Sequence, residues 1–428
     1  MTNSTNNANL RYPWYVVTVL MLAYVSSFVD RQILSLLVVP MKRDLDLSDF
    51  QMSLLMGFSF ALFYTFLGIP IGWMADRKNR RNIIIWGIGI WSLMTAFGGI
   101  AKNFGQFFVT RLGVGVGEST LSPSAYSMIG DYFPKDKLAT AFGIYSMGIY
   151  IGTGIAIVIG GLLLKLSGDG TVWVIPLIGE IYPWQSVFLM IGIPGLLIML
   201  LMLTVKEPTR KGLSTANFSI LQSLKVLKGQ QSFILISIAT GLYTVVAYSF
   251  SMWTPTFFVR TYGSDVSEIS LGYGLSFAVF CTIGTLLSGR FTDSLYKKGY
   301  RDAKPRTALF SVLGLLVSAI GFTLMPTAQS AMLLTIPVNF FIGAIITPAS
   351  ASTQEVLPLN MRALGSAVFL FILNLIGLGM GPSITAMFTD YLFRDEFMLR
   401  YSLLLVGALF SIASAIFYYL SLKNYRHY

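Results

Sequence analysis

Gly72-Trp-Met-Ala-Asp76-Arg77-Lys78-Asn79-Arg80-Arg81 closes one apolar stretch and opens the next. Gly289-Arg-Phe-Thr-Asp293, followed by Lys297, Lys298 and Arg301, does the same in the second half, with the glycine and the aspartate both displaced by 217 positions. A second echo links Asp131-x-x-Pro134-x4-Ala139 to Glu355-x-x-Pro358-x4-Ala363 at a displacement of 224. The seven-residue difference is a change of loop length. A membrane chain that repeats its loops at this distance is built from two related units, as in carriers whose site lies between two lobes.

The 428 residues are 54% hydrophobic and 11% charged, against about 25% charged in soluble domains. Twelve apolar stretches are read at 14–39, 50–75, 82–101, 104–129, 138–164, 184–205, 232–259, 269–289, 306–325, 330–354, 362–389 and 399–422. Each is long enough for a hydrocarbon core of about 30 Å. Lipid offers the backbone no hydrogen-bond partner, so the stretches are expected to be helices. The alternating segments of a β-barrel are missing. The expected class is an all-α membrane protein of twelve transmembrane helices in two pseudo-symmetric six-helix bundles, acting as a monomer. Residues 1–205 form the first bundle, 206–231 a cytoplasmic linker and 232–428 the second bundle. Phe218, Leu221, Leu224 and Leu227 recur at helical spacing beside Lys225 and Lys228, the pattern of a short helix on the membrane surface.

The net charge of +11 is unevenly placed. With the amino terminus in the cytoplasm, 21 Lys/Arg fall on the inner side and seven on the outer, with Arg31 and Arg111 inside spans. This positive-inside bias puts both termini in the cytoplasm and makes anionic lipid headgroups, rather than nucleic acid, the partners of the basic loops. No short apolar core with a small-residue cleavage site opens the chain, so no cleaved signal peptide is expected. A bacterial inner membrane is the expected location. Cys281 stands alone and His427 is the single histidine. A disulfide within the chain, a metal cluster and a histidine relay are therefore not expected. No phosphate-binding G-x-x-x-x-G-K-[ST] loop occurs, and Gly113-x-Gly115-x-Gly117 lies in an apolar helix rather than a strand–turn–helix. Neither an enzyme nor a cofactor is expected.

The Gly72–Arg81 run resembles the loop 2–3 motif of the major facilitator superfamily, with Asn79 where a glycine is usual. Asparagine tolerates a left-handed backbone better than most residues, so the turn is expected to persist. Arg111-Leu-Gly-Val-Gly115 is similar to the fourth-helix motif, and Gly148, Gly152, Gly154, Gly160 and Gly161 to the glycine-rich fifth helix. More narrowly, Tyr24-x5-Asp30-Arg31-Gln-Ile-Leu-Ser, Leu47-Ser-Asp-x-Gln51 and Arg111-x6-Glu118-x4-Pro123 resemble the Spinster-like branch, which includes transporters of sphingosine-1-phosphate and lysophospholipids. Asp-Arg in helix 1 with Arg-x6-Glu in helix 4 also occurs in organic anion symporters.

Asp30, Arg31, Arg111 and Glu118 are ionisable groups inside apolar stretches of the first half, and the second half has no counterpart. Such groups mark ion or substrate paths. Adjacent helical residues diverge by about 100°, so Asp30 and Arg31 need separate partners. Arg111 and Glu118 are two turns apart on one face, with a rise of about 10.5 Å. If helices 1 and 4 adjoin, as the resemblance implies, Asp30 pairs with Arg111 and Arg31 with Glu118. Glu118 is the first candidate for proton coupling and Asp30 the second. Arginine stays charged, so Arg111 and Arg31 suit an anionic substrate, with Tyr24, Tyr248 and Trp253 lining the site. A static ion-pair cluster is the structural alternative, disfavoured because buried pairs add little stability over apolar packing. The resemblance implies gating by Asp76, Arg77, Arg80, Arg81 and Asp131, mirrored by Asp293 and Glu355. Plain topology-setting charge is the alternative for each. The reading is a proton-coupled secondary transporter of an amphiphilic, anionic, lipid-like molecule working by alternating access. A small organic anion:proton symporter and a non-transporting receptor are the other readings.

Overall fold

The computed structural model describes residues 10–75, 77–166, 173–175, 179–210, 227, 229–357 and 362–425. Among them the first bundle contains α1 (Arg11–Gln32), α2 (Val38–Leu45), α3 (Asp49–Ser53), α4 (Ser59–Ala75), α5 (Arg80–Gly98), α6 (Phe104–Glu118), α7 (Leu121–Tyr132), α8 (Lys135–Leu166) and α9 (Pro183–Met202). The second contains α10 (Gln231–Tyr262), α11 (Val266–Lys297), α12 (Ala303–Leu324), α13 (Ala328–Ala344), α14 (Ile346–Glu355), α15 (Arg362–Ile372), α16 (Gly381–Met387) and α17 (Leu399–Tyr425). Several expected spans are built from two helical pieces, because chain breaks and π turns interrupt them. A π segment at Leu54–Phe58 joins α3 to α4, and another at Leu373–Met380 joins α15 to α16. Among the described residues ten helices are long and apolar enough to cross a membrane. The expected third and fourth spans are helical too but fall outside that set. Arg80, Arg81 and Asn82 fill the first turn of α5, and the fourth span breaks after Glu118 into α6 and α7.

One local expectation is corrected, and one element is new. Asn79 has φ −67° and ψ 111°, not a left-handed backbone, and its side chain accepts from the Asn82 amide at 2.9 Å. It keeps the turn by capping α5, satisfying one of the free amides of a helix start. The connection between α8 and α9, on which the sequence is silent, holds a short antiparallel strand pair, β1 (Trp173–Ile175) with β2 (Gly179–Ile181), with Gly179 at φ +85°. The surface helix expected in the linker falls mainly on residues outside those described. Its described start, Lys206–Arg210, lies against the first bundle: Arg210 Nη2 donates to the carbonyls of Ala75 and Lys78 at 2.9 and 2.5 Å.

The bundles meet most closely away from the chain termini, on what we call the distal face. α8 packs on α11 so tightly that a Cβ on Gly154 would sit 2.8 Å from the Gly274 carbonyl oxygen. The two π segments face each other, and a Cβ on Gly57 would lie 2.3 Å from the Leu378 carbonyl. Polar contacts complete the seam. Gln32 Nε2 donates to the Ser251 carbonyl at 2.8 Å, and Ser251 Oγ returns a bond to Gln32 Oε1 at 3.1 Å. The fully buried Asp49 carboxylate receives Arg260 Nη1 and Nη2 at 2.5 and 2.7 Å and lies 2.7 Å from Lys42 Nζ. Glu396 caps both cations, 2.9 Å from Lys42 and 3.3 Å from Arg260. Asp390 Oδ2 accepts from the Phe50 amide at 2.7 Å. Asp49 and Lys42 belong to the first bundle and Arg260 and Glu396 to the second, so this cluster fastens one to the other.

Removing one partner of a buried ion pair is costly, about 3–5 kcal/mol. Asp49→Asn is therefore expected to loosen the distal seam. With Cys281→Ala and Ser53→Cys introduced as a reporter, labelling by a membrane-impermeant maleimide should rise about tenfold for each 1.4 kcal/mol lost. An unchanged labelling rate would show that the cluster does not hold this face shut.

Candidate functional site

α1 carries Ser27, Phe28, Asp30 and Arg31 over a stretch in which all four are buried. Opposite it, α6 presents Arg111 and Glu118, and α4 presents Phe60 and Tyr64. Arg31 Nε donates to Glu118 Oε2 at 2.6 Å, with Nη2 at 2.6 Å from the same oxygen. The Ser27 hydroxyl also donates to Glu118 Oε2, and Arg31 Nη2 donates to Ser27 Oγ at 3.4 Å. Three rings enclose the guanidinium, with centroids 4.3 Å (Phe60), 4.6 Å (Phe28) and 4.6 Å (Tyr64) from Arg31 Cζ. Such desolvated cation–π contacts are worth about 2 kcal/mol. Tyr248 of the second bundle lies within electrostatic reach of Arg31. The Arg31–Glu118 pair therefore stands on the side of the first bundle that faces the second.

Arg111 is placed differently from expectation. Its Nη1 donates to the main-chain carbonyl of Asp30 at 3.3 Å, not to the carboxylate. Its Cζ lies 5.8 Å from the Phe60 centroid. Asp30 makes no ion pair within 4 Å among the described residues. Its carboxylate lies within electrostatic reach of Glu118, Arg111 and Arg31, with the Thr95 side chain of α5 beside it, and Thr95 Oγ1 makes no hydrogen bond among the described residues. Among the described residues Glu118 Oε1, Asp30 Oδ1 and Arg111 Nε and Nη2 find no hydrogen-bond partner. Buried polar groups are normally partnered. A set of orphaned charged atoms in one place marks a site with chemistry still to perform.

The aromatic candidates divide. Tyr24 stacks on Tyr145 with centroids 4.5 Å apart and rings parallel within 1°. Tyr145 meets Tyr126 at 5.3 Å, and Tyr126 is exposed. These rings step from the charged cluster towards the face that carries the termini. Trp253 is instead wholly buried in the second bundle, its indole nitrogen donating to the Pro382 carbonyl at 3.0 Å. A ring sealed in this way is a packing element, which corrects its expected place on the site wall. Sequence reading missed Ser27, Phe28, Phe60 and Tyr64. Ser27 lies one turn before Arg31, the i,i+4 spacing that could have identified it.

At the terminal face, the Arg80 side chain is 1% exposed and bonds Asp131 at 2.5 Å, Ser127 at 2.8 Å and Glu207 at 2.7 Å. Glu207, absent from the sequence candidates, also accepts from the Arg81 amide at 2.9 Å. Arg81 Nη2 donates to the Leu203 carbonyl at 2.6 Å. Arg77 bonds the Trp73 carbonyl at 3.3 Å and lies over its ring at 4.1 Å. Glu355 pairs with Lys304 at 2.7 Å and accepts from the Tyr425 hydroxyl, while Asp293 is exposed. Asp76 lies outside the described residues.

Residues 20–382 match the model of the Major Facilitator Superfamily. The chain belongs to this superfamily. It is 28% identical to an MFS-type efflux pump of Mycolicibacterium smegmatis over 99% of this chain and 96% of that protein. A sphingosine-1-phosphate transporter of Danio rerio is 25% identical over 95% of this chain and 85% of its own length. A solved bacterial homolog of the human lysosomal transporter Spinster, captured in an inward-facing and unoccupied conformation, superposes with a TM-score of 0.83. It is 28% identical, with 97% of this chain and 98% of that one covered. Within the superfamily the chain is Spinster-like, and it is a multi-pass membrane transporter.

The Arg31–Glu118 contact predicts strong coupling. Arg31→Gln and Glu118→Gln should each destabilise the purified protein by about 3–5 kcal/mol, and the double substitution by clearly less than the sum. Thermal unfolding of the four proteins in detergent measures this. Strictly additive losses would contradict a direct pair.

Proposed function

We propose that this chain is a proton-coupled carrier that moves an amphiphilic, anionic, lipid-like molecule across the membrane by alternating access. The observation that carries the reading is the buried Arg31–Glu118 pair, with one Glu118 oxygen unpartnered and the idle donors of Arg111 nearby. Protonation of Glu118 releases Arg31 from its carboxylate, and a substrate anion then takes the vacated place. Loss of the anion lets the pair reform and expels the proton. The coupling is thus an exchange of one negative partner for another around a guanidinium that stays charged.

The aromatic collar supports an amphiphile. Phe28, Phe60 and Tyr64 shield the Arg31 charge, and Tyr24, Tyr145 and Tyr126 extend an apolar surface from it. A headgroup at Arg31 and Arg111 would leave the acyl portion against these rings and against the uncharged second bundle beside Tyr248. The sphingosine-1-phosphate carried by the Danio rerio relative has this build, a phosphate head on a long apolar tail.

Alternating access supplies the motion. The charge bias puts the termini in the cytoplasm, with a bacterial inner membrane as the setting and a monomer as the working unit. The seam around Asp49 and Arg260 then closes the outer side, and the site opens inward. The proposed units are residues 1–205 and 232–428, joined by 206–231. Asp76, Arg77, Arg80, Arg81 and Asp131, with Glu207, would gate the inner side, and Asp293 and Glu355 would serve the second unit.

Purified protein in liposomes with an imposed pH jump tests this. Lysophospholipid-type flux driven by the proton gradient is expected, and Glu118→Gln should abolish the pH dependence while sparing binding. Flux of small acids alone would favour the organic anion symporter. Binding without flux would overturn transport altogether, and an unaltered pH profile in Glu118→Gln would remove that residue from the coupling.

A further inference from the structure

α12 and α17 pack against each other on the second bundle and supply no side chain to the Arg31–Glu118 site. α12 starts at the terminal face and α17 ends there. Between them runs a groove of about 340 Å³, walled by Leu309, Leu313 and Leu316 on α12 and by Ile412, Ile416 and Tyr419 on α17. Leu313, Ile412, Ile416 and Tyr419 are exposed, so in a membrane the groove opens on acyl chains. From Leu309 to Leu316 it rises about 10.5 Å. An apolar hollow left empty forfeits the dispersion contacts of its lining, so the surroundings must fill it.

Its walls suit a flexible chain better than a second helix. Membrane helices associate through small residues that let backbones approach. Here the rim is branched or aromatic, and Gly314 turns inward, where a Cβ would meet the Phe341 ring at 2.3 Å. Charge stands at the terminal end of the groove. Arg306 lies about 4.5 Å beyond Leu309 along α12, and Lys423 about 6 Å beyond Tyr419 along α17, each on the stripe that lines the groove. A second hollow of about 320 Å³ adjoins Arg306, lined also by Gly299, Tyr300, Arg301 and Asp302. Arg306 Nε and Nη2 hold the Asp302 carboxylate at 3.1 and 2.9 Å, and the Tyr300 ring centroid lies 4.7 Å from Arg306 Cζ. Arg301 and Lys423 are exposed and make no ion pair within 4 Å among the described residues. Asp302 is thus already matched by Arg306, and two cations remain over.

We propose that the groove and the hollow at its end form a site for one anionic glycerophospholipid of the leaflet on the terminal side. One acyl chain lies between α12 and α17, and the phosphate is held by Arg301 and Lys423. Guanidinium and ammonium carry donors only, and a phosphate supplies the charged acceptors they lack. Tyr300 and Tyr419 stand where hydrocarbon gives way to headgroups, the usual level for such rings. A zwitterionic lipid fills the groove equally well, but its own cation cancels the attraction to Arg301 and Lys423. The site takes a resident lipid rather than the carried molecule. Both helices belong to one bundle, and the groove opens on the membrane and not on the space between the bundles.

Native mass spectrometry of the purified protein, with phosphatidylglycerol and phosphatidylcholine of matched acyl chains, tests the site without relying on transport. The unmodified chain should hold one phosphatidylglycerol more tightly than phosphatidylcholine. Lys423→Gln and Arg301→Gln should each weaken phosphatidylglycerol about fivefold and leave phosphatidylcholine unchanged. Ala415→Phe, which adds bulk to the groove lining, should weaken both lipids. Thermal unfolding of each variant without added lipid separates lost binding from lost folding. Phosphatidylglycerol carrying a diazirine in its acyl chain should label α12 and α17. Equal phosphatidylglycerol affinity in all the variants, or labelling confined to α1, α4 and α6, would overturn the site. So would a disulfide between two copies of Ile416→Cys, made in the Cys281→Ala background, that added lipid does not prevent, since a second copy of the chain would then occupy the groove.

Discussion

Placing a guanidinium in the middle of a membrane bundle constrains everything around it. Arg31 cannot be neutralised by losing its own proton, so the bundle must supply an anion and a surface that tolerates a cation. Glu118 supplies the first and the rings of Phe28, Phe60 and Tyr64 the second. The pairing draws α1 to α6 and leaves the carboxylate bound by attraction to one group and a hydroxyl, so its protonation state and the freedom of Arg31 are the same variable. A hydrophobic pair would pack as well or better. Its replacement by charge makes sense only if the charge is used.

The distal seam applies a related economy to the contact between bundles. Asp49, wholly buried, is shared between Lys42 of its own bundle and Arg260 of the other. Its burial depends on the closed arrangement. Under the proposed alternating access the bundles would part here, and all three groups would return to water, Asp49 keeping Lys42 beside it. The seam thus trades solvation for contact at modest net cost, which suits a contact that must form and break. Apolar packing over the same area would hold the bundles more stubbornly.

Much of the architecture was legible in hydropathy and in two repeated loops. The helical spans and the division into halves follow from patterns local to one helix or from a displacement along the chain, whereas the pairing of Arg31 with Glu118 was expected only because the family resemblance sets helices 1 and 4 side by side. The rest is hidden for physical reasons. Asp49 and Arg260 lie 211 positions apart and each reads alone as an ordinary loop charge. The rings around Arg31 are inconspicuous in a chain with 32 Phe and 21 Tyr. Glu207 reads as linker until it is found against Arg80. Asp30 and Arg111 failed to pair through their side chains because a one-residue step around α1 decides which neighbour is met. Trp253 shows the converse error: an aromatic with a polar handle invites a ligand role, yet a main-chain carbonyl satisfied it.

The facing π segments, Leu54–Phe58 and Leu373–Met380, have a consequence for how such a chain can vary. A π turn holds one more residue than an α turn, usually as the result of a single insertion into an older helix. Deleting one residue from Leu373–Met380 would let the helix heal, and every side chain beyond it would swing by about 100°. Ser383 and Asp390 would then leave Ser53 and the Phe50 amide. A substitution here acts on one position, as at Gly377, where a Cβ would lie 2.3 Å from Thr244 Oγ1, whereas the loss of one codon re-aims every side chain that follows. The length of the segment, as much as its composition, keeps the two bundles in register.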